Sequence, residues 1–187
     1  MGKLIVTEFI TLDGVVEAPG GEPSHPHSGW VFDFSSPEQD RYKLDETLEA
    51  ESHLLGRVTY ESFAGAWPKR KGPFADHINS MKKYVASSTL PDPLEWENST
   101  LIQGDVATEI AKVKERDEGP ILVAGSCTLV HTLLENDLVD EVKLMVFPTI
   151  IGGGKRPFPE SGKKKDFKLV DSQTFATGVT ANSYQPA

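Results

Sequence analysis

The run Ile121-Leu122-Val123-Ala124 constrains this chain most. It is apolar at every position, with Gly119-Pro120 before it and Gly125-Ser126 after it. A strand exposed on one face alternates apolar and polar residues, whereas a run this short and this apolar is buried on both faces, as in a parallel sheet. A parallel sheet needs helical crossovers, and the flanking sequence supplies them. Asp105 is a capping residue for a helix to about Arg116 that carries Val106, Ile110 and Val113 on one face. Ser126 leads into a second helix with Leu129, Val130, Leu133 and Leu134.

The same alternation extends along the chain. Lys3 to Thr11 is a strand dense in aliphatics, and Ser36-Pro37-Glu38-Gln39 opens a helix with a capping serine and proline at the first helical position. His53-Leu54-Leu55 runs into Gly56 and a helix from Arg57 to about Gly65. Phe74 to Met81 reads as a short helix, and Lys83 to Ser87 and Thr100 to Gln103 as strands. Val139 to Thr149 is a strand, Gly152-Gly153-Gly154 a forced turn, and Phe167 to Phe175 with Val179 to Tyr184 a hairpin around Ala176-Thr177-Gly178. The expected fold is one α/β domain spanning residues 1–187, in three layers, with a mostly parallel central sheet and an antiparallel C-terminal hairpin. The segment from Leu12 to Ser35, with its prolines and glycines, His25, His27 and an exposed Trp30, is expected to be a functional loop or lid.

Composition excludes several classes. With 19 basic and 28 acidic side chains the net charge is −9, which disfavours a nucleic-acid binder. Lys69-Arg70-Lys71 and Lys163-Lys164-Lys165 sit among loop formers and read as solvated turns. No apolar run is long enough for a membrane helix, and the N-terminal segment reads as a strand rather than a signal peptide. One cysteine, Cys127, rules out a disulfide within the chain and a cysteine-rich zinc site; the chain is expected to be cytoplasmic. His25 and His27 lack a nearby third ligand, so no metal is expected.

Two sites share one geometry. Leu54-Leu55-Gly56-Arg57 and Val123-Ala124-Gly125-Ser126 each place glycine where a buried strand meets a helix. Either alone is consistent with a plain tight turn; two on one sheet suit the pyrophosphate of a dinucleotide. Arg57 and Thr59 on one helix start, and Ser87 and Ser88 at the next strand end, suit a ribose 2′-phosphate, or else are a surface arginine at a helix N-terminus and a capping serine. Asp40 stands first in the series Asp40, Leu44, Leu48, which would bring it to the mouth of a buried stripe; the competing reading is a first-turn acid facing solvent.

The stretches LLGRVTYESF, YVASST and ILVAGSCTLVHTLLENDLVDEVKLMVFPTIIGGGKRPF, together with ITLDGVV, resemble the dihydrofolate-reductase-like superfamily. The closest resemblance is to the C-terminal reductase domain of the bifunctional riboflavin-biosynthesis deaminase–reductase. It implies a stand-alone, NADPH-dependent reductase of a small heterocyclic or ribosylamine-like substrate, of the 5-amino-6-(5-phosphoribosylamino)uracil type, acting on C=N or C=O as a homodimer. The resemblance implies that Gly56, Arg57, Thr59, Ser87, Ser88, Gly125, Ser126, Thr128 and Leu129 face NADPH, and that Asp13 to Val16 border the nicotinamide. Dihydrofolate reduction, with Asp40 as the acid, and a non-catalytic NADP-binding module are the alternatives. The histidine, glutamate and cysteines of a zinc deaminase are missing.

Overall fold

The computed structural model describes residues 1–160 and 162–187. Eight strands form one sheet: β1 (Leu4–Thr11), β2 (Ser52–Gly56), β3 (Lys82–Ala86), β4 (Ser99–Ile102), β5 (Ile121–Val123), β6 (Glu141–Phe147), β7 (Phe167–Thr174) and β8 (Thr180–Pro186). Their order is β4-β3-β2-β5-β1-β6-β8-β7. The first six are mutually parallel; β8 pairs antiparallel with both β6 and β7. Among the described residues five α-helices accompany them: α1 (Pro37–Leu48), α2 (Arg57–Ala66), α3 (Pro73–Ser80), α4 (Val106–Arg116) and α5 (Cys127–Glu135). No helix among the described residues is long and apolar enough to cross a membrane.

The two sheet faces are read from alternation. On one, Leu4, Val6, Leu54, Ile121, Val123 and Val142 pack against Ile110 and Val113 of α4 and Leu129, Val130, Leu133 and Leu134 of α5. On the other, Leu55 and Val85 meet Tyr60 of α2 and Ile78 of α3. Local chemistry sets the helix starts. Ser36 Oγ accepts the Gln39 N–H, and Asp105 Oδ1 accepts the Thr108 N–H at 2.9 Å.

Helix α1 departs from expectation. Leu48 is 44% exposed, and the buried positions are Gln39, Glu46 and Thr47. The face turned inward is polar because the sheet beneath it is polar there. Thr7 on β1 donates to Glu46 at 2.9 Å, Lys43 reaches both, and Lys143 on β6 lies 3.8 Å from Glu46. The leucine spacing thus does not mark the buried face: Leu44 is half-buried and Leu48 exposed. Trp30 also differs from its expected exposure: it is 3% exposed, in a short 3₁₀ turn (Trp30–Phe34), edge-on to Phe147 at 5.3 Å, with its indole N–H donating to Glu17 O. The loop therefore supplies its own hydrophobic anchor and is folded down on the sheet.

Lys83 braces the far edge. Its side chain is fully buried, its Nζ donates to the carbonyls of Asn79, Met81 and Glu97 at 2.8–3.0 Å, and the Trp96 ring lies 4.4 Å away. Three donors meet three acceptors, so the buried ammonium is satisfied. Burial still pushes its pKa down from 10.5 to about 8. Between those values the unfolded chain holds a proton the folded chain does not, so this residue's contribution to stability rises with pH. Lys83→Met is expected to flatten that rise: in urea denaturation, the stability of the wild type relative to the variant increases from pH 8 to 10.5. A pH-independent difference would contradict it.

Candidate active site

Strands β2 and β5 are neighbours, yet α2 and α5 leave them on opposite faces of the sheet. Such a divergence opens a crevice at the carboxyl ends of the strands, the place where α/β sheets take ligands. The two junctions touch. Gly56 N–H donates to Gly125 O at 3.1 Å, and a Cβ on Gly56 would lie 2.3 Å from Ser126 Oγ. Gly56 is required by this close approach. Gly125 is required by its backbone, with φ of +99°, and the peptide to Ser126 is cis.

Neither helix start at this junction has a side-chain cap, in contrast to Ser36 on α1 and Asp105 on α4. The first N–H groups of each, at Arg57, Val58 and Thr59 and at Cys127, Thr128 and Leu129, have no intrahelical acceptor. Two sets of free donors, each at the positive end of a helix dipole, thus meet within one crevice.

The crevice continues toward β1. Pairing of β1 with β5 stops at Val6 with Val123, while β1 runs on beside β6 to Thr11 with Phe147. Beyond Val6 the strand is therefore open on its β5 side. Glu8 stands there, two residues past Val6 and level with Gly125. Its Oε1 is fully buried and has no hydrogen-bond partner, and it lies 3.9 Å from the position a Gly125 Cβ would take; Thr59 Oγ1 lies 3.0 Å from that same position. The residue as a whole is half-buried. Burial raises the carboxyl pKa to about 8 against the opposing charge of Lys43, so the group is mostly neutral at pH 7. Sequence reading passed over Glu8 as a polar break in an apolar strand. A carboxylate inside a strand that is covered on both faces was itself the signal.

The lid is stitched to the loop after β6. Asp13 accepts Thr11 Oγ1 at 2.6 Å and the Gly152 N–H at 2.9 Å, and these bonds, the hydroxyl first, hold its pKa below the ordinary value. Val16 is buried and its N–H donates to Lys155 O; Glu17 Oε2 accepts the Lys155 N–H. His25 Nε2 donates to Gly153 O at 2.7 Å, while its Nδ1 accepts the His27 N–H, so the pair serves as a loop fastener.

The other expected site residues divide. Gly56, Thr59, Gly125 and Ser126 come together at the crevice. Arg57 is exposed beside them, bonded to Glu61 at 2.9 Å. Ser87 Oγ accepts the N–H groups of Thr89 and Leu90, closing a turn, and Ser88 and Thr128 are exposed. Leu129 contributes only its backbone, because its side chain is in the core with Val130 and Leu133. Asp40 is exposed: it lies one position out of step with the buried face, where Gln39 stands instead. Gln39 Oε1 accepts Ser36 Oγ and Thr177 Oγ1. An amide offers no acid at that position. Burial raises the Cys127 thiol to about 11, which fits packing rather than reactivity.

The arrangement of sheet, switch-point crevice and lid is the dihydrofolate-reductase-like fold. Within it, the chain belongs to the RibD C-terminal domain family, whose model matches residues 2–181. The uncharacterized protein YyaP of Bacillus subtilis (strain 168) is 27% identical over 188 residues, covering 97% of this chain and 94% of that protein. Among solved structures, a candidate riboflavin biosynthesis protein from Shewanella sp. PV-4 superposes with a TM-score of 0.78 at 21% identity, covering 99% of both chains. Dihydrofolate reductase from Enterococcus faecalis, complexed with NADP(H) and RAB-propyl, gives 0.65 at 17% identity, covering 99% of this chain and 96% of that one.

The contact between the junctions can be tested. Gly56→Ala is expected to destabilise the protein by about 1–3 kcal/mol, the ordinary cost of overpacking. In urea denaturation the double variant Gly56→Ala, Ser126→Gly is expected to recover part of that loss. Purely additive effects of the two changes would show that the side chains do not meet.

Proposed function

We propose that this chain is an NADPH-dependent reductase of a small heterocyclic or ribosylamine-like substrate. The observation that carries the reading is the meeting of two uncapped helix starts in one switch-point crevice, beside a β1 edge left open. The free N–H groups of α2 and α5 would hold the pyrophosphate. Arg57, with the hydroxyls of Ser87 and Ser88, would take the ribose 2′-phosphate. The exposed Arg57–Glu61 pair is weak and easily exchanged for a phosphate contact. Asp13 to Val16 would border the nicotinamide, which supplies a hydride when bound. The fixed crevice orients the ring and the folded lid excludes water.

Membership of the RibD C-terminal domain family supports a substrate of the 5-amino-6-(5-phosphoribosylamino)uracil type, with Lys155 and Arg156 as candidates for its phosphate. Folate reduction has less support, because Gln39 rather than an acid fills the buried first-turn position of α1. The single cysteine and its packing fit a reducing compartment, and we place the protein in the cytoplasm.

The reading includes a homodimer. The Phe147 face of β6 is covered within the chain by Trp30 and Phe34. Beyond α5, the opposite face of the C-terminal strands leaves Leu144, Val146 and Tyr184 half-buried and Leu169 56% exposed. A second copy would cover that face.

Wild type is expected to bind NADPH more tightly than NADH. Arg57→Ala should weaken NADPH by about 1.5–3 kcal/mol and leave NADH nearly unchanged in a fluorescence titration. Equal wild-type affinities would refute the 2′-phosphate assignment. Loss of dihydronicotinamide absorbance with a ribosylaminouracil substrate separates a reductase from a binding module without turnover.

For the dimer, light scattering at micromolar concentration should give twice the 20.5 kDa chain mass. A mass equal to one chain would refute it.

A further inference from the structure

Four features outside the phosphate-binding junction compete for attention. In the Lys43–Glu46–Thr7–Lys143 network two lysines flank one carboxylate that also accepts from Thr7, and Lys83 is satisfied by three carbonyls. His53 is buried and neutral, its pKa pushed down to about 3 by burial, with Phe63 beside it. Glu46 Oε1 and His53 Nδ1 also lack hydrogen-bond partners, but both of those residues are closed off in the interior; Glu8 combines a partnerless buried oxygen with a residue left half-open at the crevice. An unpaired buried carboxyl oxygen is costly, and one beside an open crevice can be relieved by what binds there.

Its surroundings say what the use is. Glu8 stands on the open edge of β1, level with Gly125 and across from Thr59. Leu144 is its neighbour on β6, so no polar partner comes from that side. The ionisable groups around it are few. Cys127 at the start of α5 feels its charge but remains a thiol, and Lys43 acts from α1 while committed to Glu46 and Thr7. The Lys155–Glu17 pair lies farther off, next to Cys127. The carboxyl is thus poised between its neutral and charged forms, and its open side faces the crevice that a ligand would enter.

Taking the dinucleotide reading above as its premise, we propose that Glu8 contacts the nicotinamide end of the bound cofactor and senses its redox state by charge. A neutral carboxyl suits the neutral reduced ring: it offers one O–H donor and one carbonyl acceptor, matching the C=O and NH₂ of a primary carboxamide. The oxidised ring is cationic and favours the carboxylate. Binding of NADP⁺ therefore expels the Glu8 proton to solvent, and binding of NADPH retains it. The free group's pKa of about 8 puts this exchange in the neutral range.

The full-length protein tests this without any substrate. Calorimetric titrations with NADP⁺ and NADPH at pH 7, in two buffers of different ionisation enthalpy, give the protons released by each. NADP⁺ is expected to release close to one proton more than NADPH. The ratio of NADP⁺ to NADPH affinity should rise by nearly tenfold per pH unit from about pH 6 to 8 and level off above. Using the ratio cancels titration of the 2′-phosphate, which both forms carry. Glu8→Gln should still bind NADPH and show a ratio independent of pH. Should that variant not fold, proton release by the wild type decides alone. Binding of both forms with equal proton release and a flat ratio overturns the role of Glu8 and leaves the cofactor reading standing. Binding of neither form overturns the cofactor reading and this inference with it.

Discussion

Contact between two backbones organises this molecule. The ends of β2 and β5 come close enough for Gly56 N–H to bond Gly125 O and for Ser126 to press on the bare Cα of Gly56. Any side chain at Gly56 would push the strands apart, and any at Gly125 would strain a backbone at positive φ. From that point the two helices diverge to opposite faces of the sheet. Their uncapped starts remain together because the strands that feed them cannot separate.

The remaining polar structure is arranged around the crevice without entering it. Tyr84 and Ser52 donate to the buried Asp117 near the opposite end of the sheet, while Glu51 there accepts from Lys82 and the Gly119 N–H. Under α1, Glu46 is held between Lys43 and Lys143, and its pKa falls below the ordinary value despite burial because both cations are close. Glu8 has no such company, and its pKa moves the opposite way. Two glutamates associated with one strand thus differ in charge state because cations crowd one and an open edge faces the other.

Much of the fold was legible because the signals were local. Ser36 and Asp105 cap the helices they were expected to cap, and Ile121 to Val123 is buried between parallel neighbours. The hairpin around Ala176-Thr177-Gly178 pairs as expected, with a register shift between Leu169 and Asp171. What escaped depends on which face a residue shares with distant chain. Asp40 and Gln39 are adjacent, and only the polar underside provided by Thr7 and Lys143 decides that Gln39 is the buried one. Trp30 looked exposed because nothing nearby in sequence announces Phe147 and Phe175 as its partners. Glu8 reads in the sequence as a polar break within the strand, because the open edge it occupies is made only by the pairing of β1 with distant β5 and β6.

The fastening of the lid carries a further consequence. Asp13, Glu17 and His25 are spread along the segment after β1, yet their partners are Gly152, Lys155 and Gly153, which lie within four consecutive residues. The short stretch after β6 therefore acts as a single latch plate for a much longer arm. The arm cannot lift at one end while remaining pinned at the other two without straining all three fasteners. The segment after β1 is thus held from the loop that leads toward the C-terminal strands, so a displacement of those four residues would reach all three fasteners at once.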